Sequence, residues 1–204
     1  MDALNTKWNL HIRAIVLKGG IDMSDSSITK MALANAMKEL MTELPLHKVS
    51  ISNIVEKCNL SRKSFYYHFK DKYDLVNWIF YTDFVSNFQK NTDILDWNLI
   101  KSICEFFYEN KFFYSNVLEV RGQNSFYDYF GEILSPIIEL HFEDMFEESE
   151  DKNFYVIFFT DAIRTSIARW LLEGAKISPN KYVKLLKTAV TGIALKIVED
   201  MDLD

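Results

Sequence analysis

Glycine, proline and cysteine are all scarce in this 204-residue chain, at six, three and two residues. So few glycines and prolines leave little material for the tight turns of an all-β fold, and none for a low-complexity chain, so the balance favours helices. Cys58 and Cys104 have no metal-ligand spacing and are too few for a disulfide framework, which fits reduced thiols in a cytoplasmic protein. Long apolar runs are missing too. The longest, Phe154 to Phe159, falls far short of the roughly 18 residues that span a bilayer, so no membrane partner is expected. The apolar stretch Ala14 to Leu17 is likewise too short for the core of a secretory leader.

The marks of an enzyme are also lacking. There is no Cys-x-x-Cys, no glycine-rich phosphate loop, no Gly-x-Ser-x-Gly elbow and no Glu-x-x-His pair for a metal-binding bundle. His141-Phe142-Glu143 matches half of a deaminase signature, but the Pro-Cys-x-x-Cys half is absent. No catalytic residue, metal or cofactor is therefore expected. An excess of positive charge is absent as well: the net charge of −6 excludes a protein that coats nucleic acid indiscriminately. The charge is unevenly spread, however. Residues 24–75 carry eight Lys/Arg against six Asp/Glu, giving +2, and residues 76–204 carry 12 against 21, giving −9. A mildly basic head on an acidic body suits a protein that offers one end to a polyanion.

What the chain does have is apolar and aromatic side chains at helical spacing. Gly19-Gly20 separates residues 1–22, an extension of uncertain origin, from Met23-Ser24-Asp25, which reads as a natural chain start. Leu33, Ala36, Met37, Leu40 and Leu44 recur at three and four and predict an amphipathic helix over 27–43, closed by Pro45. Ser50 is placed to cap a short helix carrying Ile54, Val55 and Cys58. Asn59, which tolerates positive φ, then turns the chain, and Ser61 caps a second short helix anchored by Phe65 and Phe69. Asp71 and Asp74 open a longer helix running from 72 to about 89. Further helices are expected at 97–116, at 124–147 with a kink or break at Pro136, at 153–175, and at 179–199, where Ser178 caps and Pro179 occupies the first turn. No strand pattern competes.

Two short helices joined by a tight turn bury little surface alone and need the flanking longer helices to complete a small core, which is the logic of a helix-turn-helix. Ile54, Cys58, Leu60 and Phe65 then point inward, leaving Arg62, Lys63, Ser64, Tyr66, Tyr67 and His68 outward. These are hydrogen-bond donors and aromatics, the side chains that reach base edges and phosphates. Each has a plainer reading: Tyr66 and Tyr67 as cover for the core, His68 as a cap, Lys72 as a solvated charge.

The run Ser61-Arg62-Lys63-Ser64-Phe65-Tyr66-Tyr67-His68-Phe69-Lys70-Asp71-Lys72-Tyr73-Asp74-Leu75, with Val49 to Val55 before it, closely resembles the signature of TetR-type regulators. The resemblance implies an all-α fold: an N-terminal three-helix helix-turn-helix DNA-binding domain (23–75) followed by a helical effector-binding and dimerisation domain (76–204). It implies a homodimer on operator DNA, controlled by a small-molecule effector or a protein coactivator. Where positions match, Ser50 and Ser52 would meet phosphate at the start of the first short helix, and Ser64, Tyr66, Tyr67 and His68 would lie on the groove or backbone. Lys72 would hold phosphate from the next helix, and Arg62 and Lys63 are the candidate base readers. Three positions depart from the common pattern: Val55 stands where alanine is usual, Asn59 where glycine is, and Lys63 where glycine or proline is.

In the C-terminal two thirds, Trp170 to Pro179 is similar to the end of the penultimate helix in many such regulators. The last two helices carry apolar stripes (Phe158, Ala162, Thr165, Ile167, Ala168, Leu171, Leu172; Val183, Leu186, Val190, Ile193, Leu195, Ile197) suited to a four-helix dimer interface or to an internal core. The middle is rich in aromatics and offers Tyr114, Arg121 and His141 as polar handles for a ligand, with ordinary core packing as the alternative. The run Lys72 to Phe80 looks like the subgroup that regulates dihydroxyacetone kinase operons, some of whose members act through a protein coactivator. A helical protein-interaction regulator, with DNA binding secondary, is the competing expectation.

Overall fold

The computed structural model describes residues 25–86, 97–122, 124–142 and 150–201, whose regular structure is helical, with no strand among them. The expected extension 1–22 and the ends of two expected helices, at 87–89 and 143–147, lie outside the described residues. The described residues divide between two compact units. One holds those within Leu10–Asn91 and Phe112–Tyr129, the other those within Thr92–Lys111 and Phe130–Asp204.

The first unit opens with α1 (Asp25–Leu40), followed by a 3-10 turn (Leu46–Lys48), α2 (Ile51–Lys57), α3 (Arg62–His68) and α4 (Lys72–Phe80). Leu33 and Met37 of α1, Leu46, Ile54, Phe65 and Leu75 are fully buried and form one core. Phe65 and Phe69 bring their rings to 5.9 Å, and Phe69 meets Trp78 of α4 at 5.8 Å. Each such ring taken from water contributes roughly 1.5–3 kcal/mol, and this is what holds two seven-residue helices too short to persist alone. α2 ends in a Schellman motif: Leu60 N–H donates to Val55 O, Asn59 N–H donates to Glu56 O, and Asn59 takes φ 55°.

After Phe80 the helix widens into a π turn over Tyr81–Val85, which the periodicity did not indicate. It places Asp83 against α1, where its Oδ2 accepts from Lys38 Nζ at 2.6 Å. Beside it, Phe80 stacks on Phe84 and meets Tyr114 of α6 (Lys111–Glu119) and Phe126 edge-on at 5.9 and 5.2 Å.

The second unit contains α5 (Trp97–Glu109), most of α7 (Phe126–His141), α8 (Lys152–Leu172) and α9 (Pro179–Met201), with α5 packed on both α8 and α9. The single helix expected over 97–116 is two, α5 and α6, parted at Asn110, whose backbone N–H and side-chain amide both donate to Phe106 O, at 3.1 and 2.9 Å. The break expected at Pro136 does not occur. α7 runs through it, held by the buried Ile133, Leu134, Ile137 and Ile138, while the exposed Glu132 is the residue whose carbonyl loses its usual donor. Phe107 meets Phe130 at 5.2 Å, and Phe142 stacks on Phe159 at 4.6 Å. α8 closes with Ala175 N–H donating to Trp170 O across Gly174 at φ 89°. Trp170 stacks on Tyr182 of α9 at 4.6 Å, and the Tyr182 and Ser166 hydroxyls are 2.7 Å apart, so these contacts set α9 against α8.

Candidate nucleic-acid interface

α3 is built to show one side. Ser61, extended at φ −95°, accepts the Ser64 N–H on its Oγ at 3.0 Å and starts the helix, which contributes about 1 kcal/mol. Phe65, at 0%, and Phe69 then lie in the core, so the positions a third of a turn away must face out. Arg62 and Lys63 are exposed, Tyr66 is 53% exposed and Tyr67 82%. A tyrosine at that exposure has no packing reason to be there. Ser64 and His68, four apart, are half-buried along the flank. His68 lies edge-on to Tyr67 at 4.9 Å, and burial, with the Lys30 charge second, holds its pKa below the usual histidine value.

α2 supplies the neighbouring edge. Ser50 caps it in a reciprocal box: its Oγ accepts from Asn53 N–H at 3.2 Å while its own N–H donates to Asn53 Oδ1 at 3.0 Å. The Ser50 hydroxyl is thus engaged locally, although the residue itself is exposed, and Ser52 sits half-buried in the first turn. Asn53 is a functional residue the sequence reading passed over. A Glu or Gln at that position would have signalled the box, and the shorter asparagine does the same work.

Lys72, the candidate phosphate contact, also makes bonds within the head. Its Nζ donates to the carbonyls of Leu46 at 2.7 Å, Val49 at 2.8 Å and His47 at 3.3 Å. An ammonium has three N–H donors, and these three carbonyls of the chain's own backbone lie within their reach. Burial lowers its pKa, opposed by the adjacent Asp71 carboxylate. Asp71 itself caps α4, accepting from Tyr73 and Asp74 N–H at 2.7 and 2.9 Å.

Of the three candidate ligand handles, Tyr114 and Arg121 lie in the first unit and His141 in the second. Tyr114 is 1% exposed and enclosed by Phe80, Phe113 and Phe126, and burial drives its pKa well above the ordinary tyrosine value. Arg121 is exposed, with its guanidinium 3.5 Å from the centre of the Tyr127 ring. His141, in the other unit, accepts the Trp97 indole N–H on Nε2 at 3.0 Å. Arg121 and His141 each already have a partner, and the ring of Tyr114 is packed among aromatics.

The apolar stripes of the last two helices divide. Ile167, Ala168, Leu171, Val183, Leu186 and Val190 are buried within the protomer, whereas Phe158, Ala162, Thr165, Leu172, Ile193 and Leu195 are exposed and Ile197 lies between. Along α8 the exposed side, including Phe154, Ile157, Phe158, Asp161, Ala162 and Thr165, borders a groove of about 640 Å³. No described helix is long and apolar enough to cross a membrane.

Comparison with known proteins agrees with this arrangement. Residues 33–79 match the family described as bacterial regulatory proteins, tetR family, and residues 96–192 match that of the transcriptional regulator C-terminal region. The chain is 31% identical over 101 residues to the HTH-type dhaKLM operon transcriptional activator DhaS of Lactococcus lactis subsp. lactis (strain IL1403). That match spans 49% of this chain and about half, 54%, of the curated relative. Two solved structures share the fold: dihydroxyacetone kinase operon activator DhaS (TM-score 0.56, 23% identity, 84% of this chain and 97% of the other) and a TetR transcriptional regulator from Streptococcus agalactiae 2603V (0.63, 20%, 81% and 95%).

Proposed function

The chain belongs to the TetR family of bacterial transcriptional regulators, and on that premise we propose that it binds a near-palindromic operator as a homodimer. The observation that carries this reading is α3: Phe65 and Phe69 pin it from below, and Arg62, Lys63, Tyr66 and Tyr67 stand outward on a seven-residue helix. Arg62 and Lys63 read base edges. Tyr66 and Tyr67 lie on the groove wall, Ser64 and His68 hold the flank, and the exposed Ser50 and half-buried Ser52 bring the start of α2 to the backbone. Lys72, the first residue of α4, holds phosphate from the next helix. One such helix covers few base pairs, so two heads related by a twofold axis, reading half-sites about 34 Å apart, supply the specificity. The domain division of the proposal is a reading head over 23–75 and a signal-receiving, dimerising body over 76–204.

The dimer face consists of the outward sides of α8 and α9. Gly192 supports this assignment: it interrupts α9 on an exposed side with open space where a Cβ would stand, at a cost of about 1 kcal/mol relative to alanine, and close approach of a second helix accounts for it. As to the signal, a protein coactivator is favoured over a small molecule held by Tyr114, Arg121 and His141, because the Tyr114 ring is closely packed and Arg121 and His141 are engaged. The relative from Lactococcus is by name an operon activator, and activation of a neighbouring operon is the corresponding role here. Selection of random duplex fragments by the purified protein tests the proposal. A recovered inverted repeat with half-sites one helical turn apart is the expected result, and fragments without shared sequence would sink it.

A further inference from the structure

α8 carries its outward residues in layers. Phe158, Asp161, Thr165, Arg169 and Leu172 are all exposed and recur at three and four, so they stand along one face of the helix. Two of the residues bordering the groove are charged, Asp161 and Arg169, one four residues before Thr165 and the other four after it. They lie about 12 Å apart along the helix axis, too far to meet within one protomer. Asp161 is held from the side by Arg164, whose Nη2 donates to its Oδ1 at 2.6 Å. Arg169 borders the groove with no side-chain partner among the described residues. Between the two charges the face is small, made of Ala162, Thr165 and Ser166.

We infer that two copies of α8 cross antiparallel with the twofold axis at Thr165, so that Asp161 of each protomer pairs with the partner's Arg169. The inference rests on the reading of α8 as part of the dimer face and specifies the register of that face. A twofold axis sets each residue opposite the one equally far along on the other side. About Thr165, Asp161 falls opposite Arg169, Phe158 opposite Leu172, and Thr165 opposite itself: acid on base, apolar on apolar, small on small. Other registers fail on charge. A parallel pair opposes Asp161 to its own copy and Arg169 to its own copy. An axis between Ile163 and Arg164 sets Arg169 on Phe158, and an axis at Ile167 sets Asp161 on Glu173. Each of these closes a face over a charge that is unpaired or opposed, which burial makes costly. Small residues at the crossing let the two helix axes approach to about 8 Å. Arg164 already restrains the Asp161 carboxylate, so less freedom is lost when the pair forms.

Charge exchange in the full-length protein tests the pairing. In Asp161→Lys or Arg169→Glu alone, the register opposes like charges on both sides of the axis. The dissociation constant read by sedimentation should then rise at least about 100-fold, with the helices intact by circular dichroism. Mixed in equal amounts, the two variants should form a heterodimer within about tenfold of the parent's affinity, because each charge again meets its opposite. A mixture that stays monomeric, or single variants that dimerise like the parent, would overturn the inference. Thr165→Cys in a Cys58→Ser background leaves these charges in place, so it decides the register even where a charge variant does not fold. On mild oxidation it should cross-link to its own copy, whereas Phe158→Cys, about 21 Å from its copy along the helix, should not. Failure of the first to cross-link, or cross-linking of the second, overturns the register. A parent that is monomeric at tens of micromolar removes the dimer reading itself, while a dimeric parent with any of the contrary results removes only the pairing.

Discussion

A single methyl group exchanged for a carboxylate at Ala162 should separate the protomers without unfolding them. Ala162 is exposed on α8, one turn from Phe158 and beside Asp161. Within one protomer Ala162→Asp costs only the difference in helix propensity, at most about 0.7 kcal/mol. In a twofold dimer the effect is larger on two counts. The substitution occurs twice across an isologous face, and each new carboxylate enters a surface beside another acid, Asp161, with no cation gained. Burial of an unpaired charge costs several kcal/mol, and even about 2 kcal/mol per copy raises the dimer dissociation constant by roughly three orders of magnitude. The same face exposes Phe154 by 63% and Ile157 by 54%, and with Phe158 these side chains offer on the order of 300 Å² of apolar surface. Sedimentation over nanomolar to tens of micromolar protein reads the dissociation constant, circular dichroism checks that the helices remain, and operator affinity should fall with the dimer. An Ala162→Asp protein that stays dimeric at micromolar concentration with the parent's dissociation constant would refute the assignment of α8 to the interface.

Three further outcomes are expected. Phe65→Ala should destabilise the first unit by about 3–5 kcal/mol, whereas Tyr67→Ala should leave unfolding free energy within about 0.5 kcal/mol yet weaken operator binding; denaturant titration beside a gel shift checks both, and a strongly destabilised Tyr67→Ala would contradict the exposed placement. A Cβ at Gly131 would lie 2.6 Å from Arg164 Nη1, whose neighbour Nη2 pairs with Asp161 at 2.6 Å. Gly131→Ala should therefore fail to deliver the roughly 1 kcal/mol expected in a helix, and deliver it only in an Arg164→Ala background; thermal unfolding of all four proteins tests this, and a full gain in the single variant would refute the close approach. His68 should titrate below its usual 6.5 in the free protein. Because its folded value is lowered, any contribution to stability is complete above pH 6.5 and is lost as the pH falls through the folded value. Operator phosphate should raise that value, so binding takes up a proton in acid. A nuclear magnetic resonance titration with a midpoint above 6.5 without DNA would contradict the burial of the ring.

The reading head was legible in the sequence because its boundaries are marked by local chemistry. Ser50, Ser61 and Asp71 are caps whose bonds run only two or three residues, and Asn59 turns on its own tolerance of positive φ, so four successive boundaries follow from neighbours alone. The body was less legible. Asn110 and Pro136 carry opposite local expectations from what happens: two helices part at Asn110, where the periodicity gave no signal, and the proline is overridden by buried isoleucines and a leucine on both sides. Lys72 illustrates the remaining gap. Its residue type and position fit a phosphate contact, while its carbonyl partners within the head lie more than twenty residues back in the chain, and no pattern of spacing reveals where a flexible four-carbon stem will end. The stripes of α8 and α9 were correctly apolar, yet periodicity cannot divide residues that face the protomer's own core, such as Ile167, from those left outward, such as Ala162.

The widened turn over Tyr81–Val85 has a consequence for how this chain tolerates insertion and deletion. A π turn holds one residue more than an α-helix would between the same two ends, so Ser86, which follows it, is phased about 100° from where regular winding would put it. The Asp83 carboxylate reaches Lys38 within that phase. Removal of one residue there would return the ladder to regular winding and carry the carboxylate off its lysine, while composition and apolar content stayed almost the same. The length of this segment is thus constrained more tightly than its lettering.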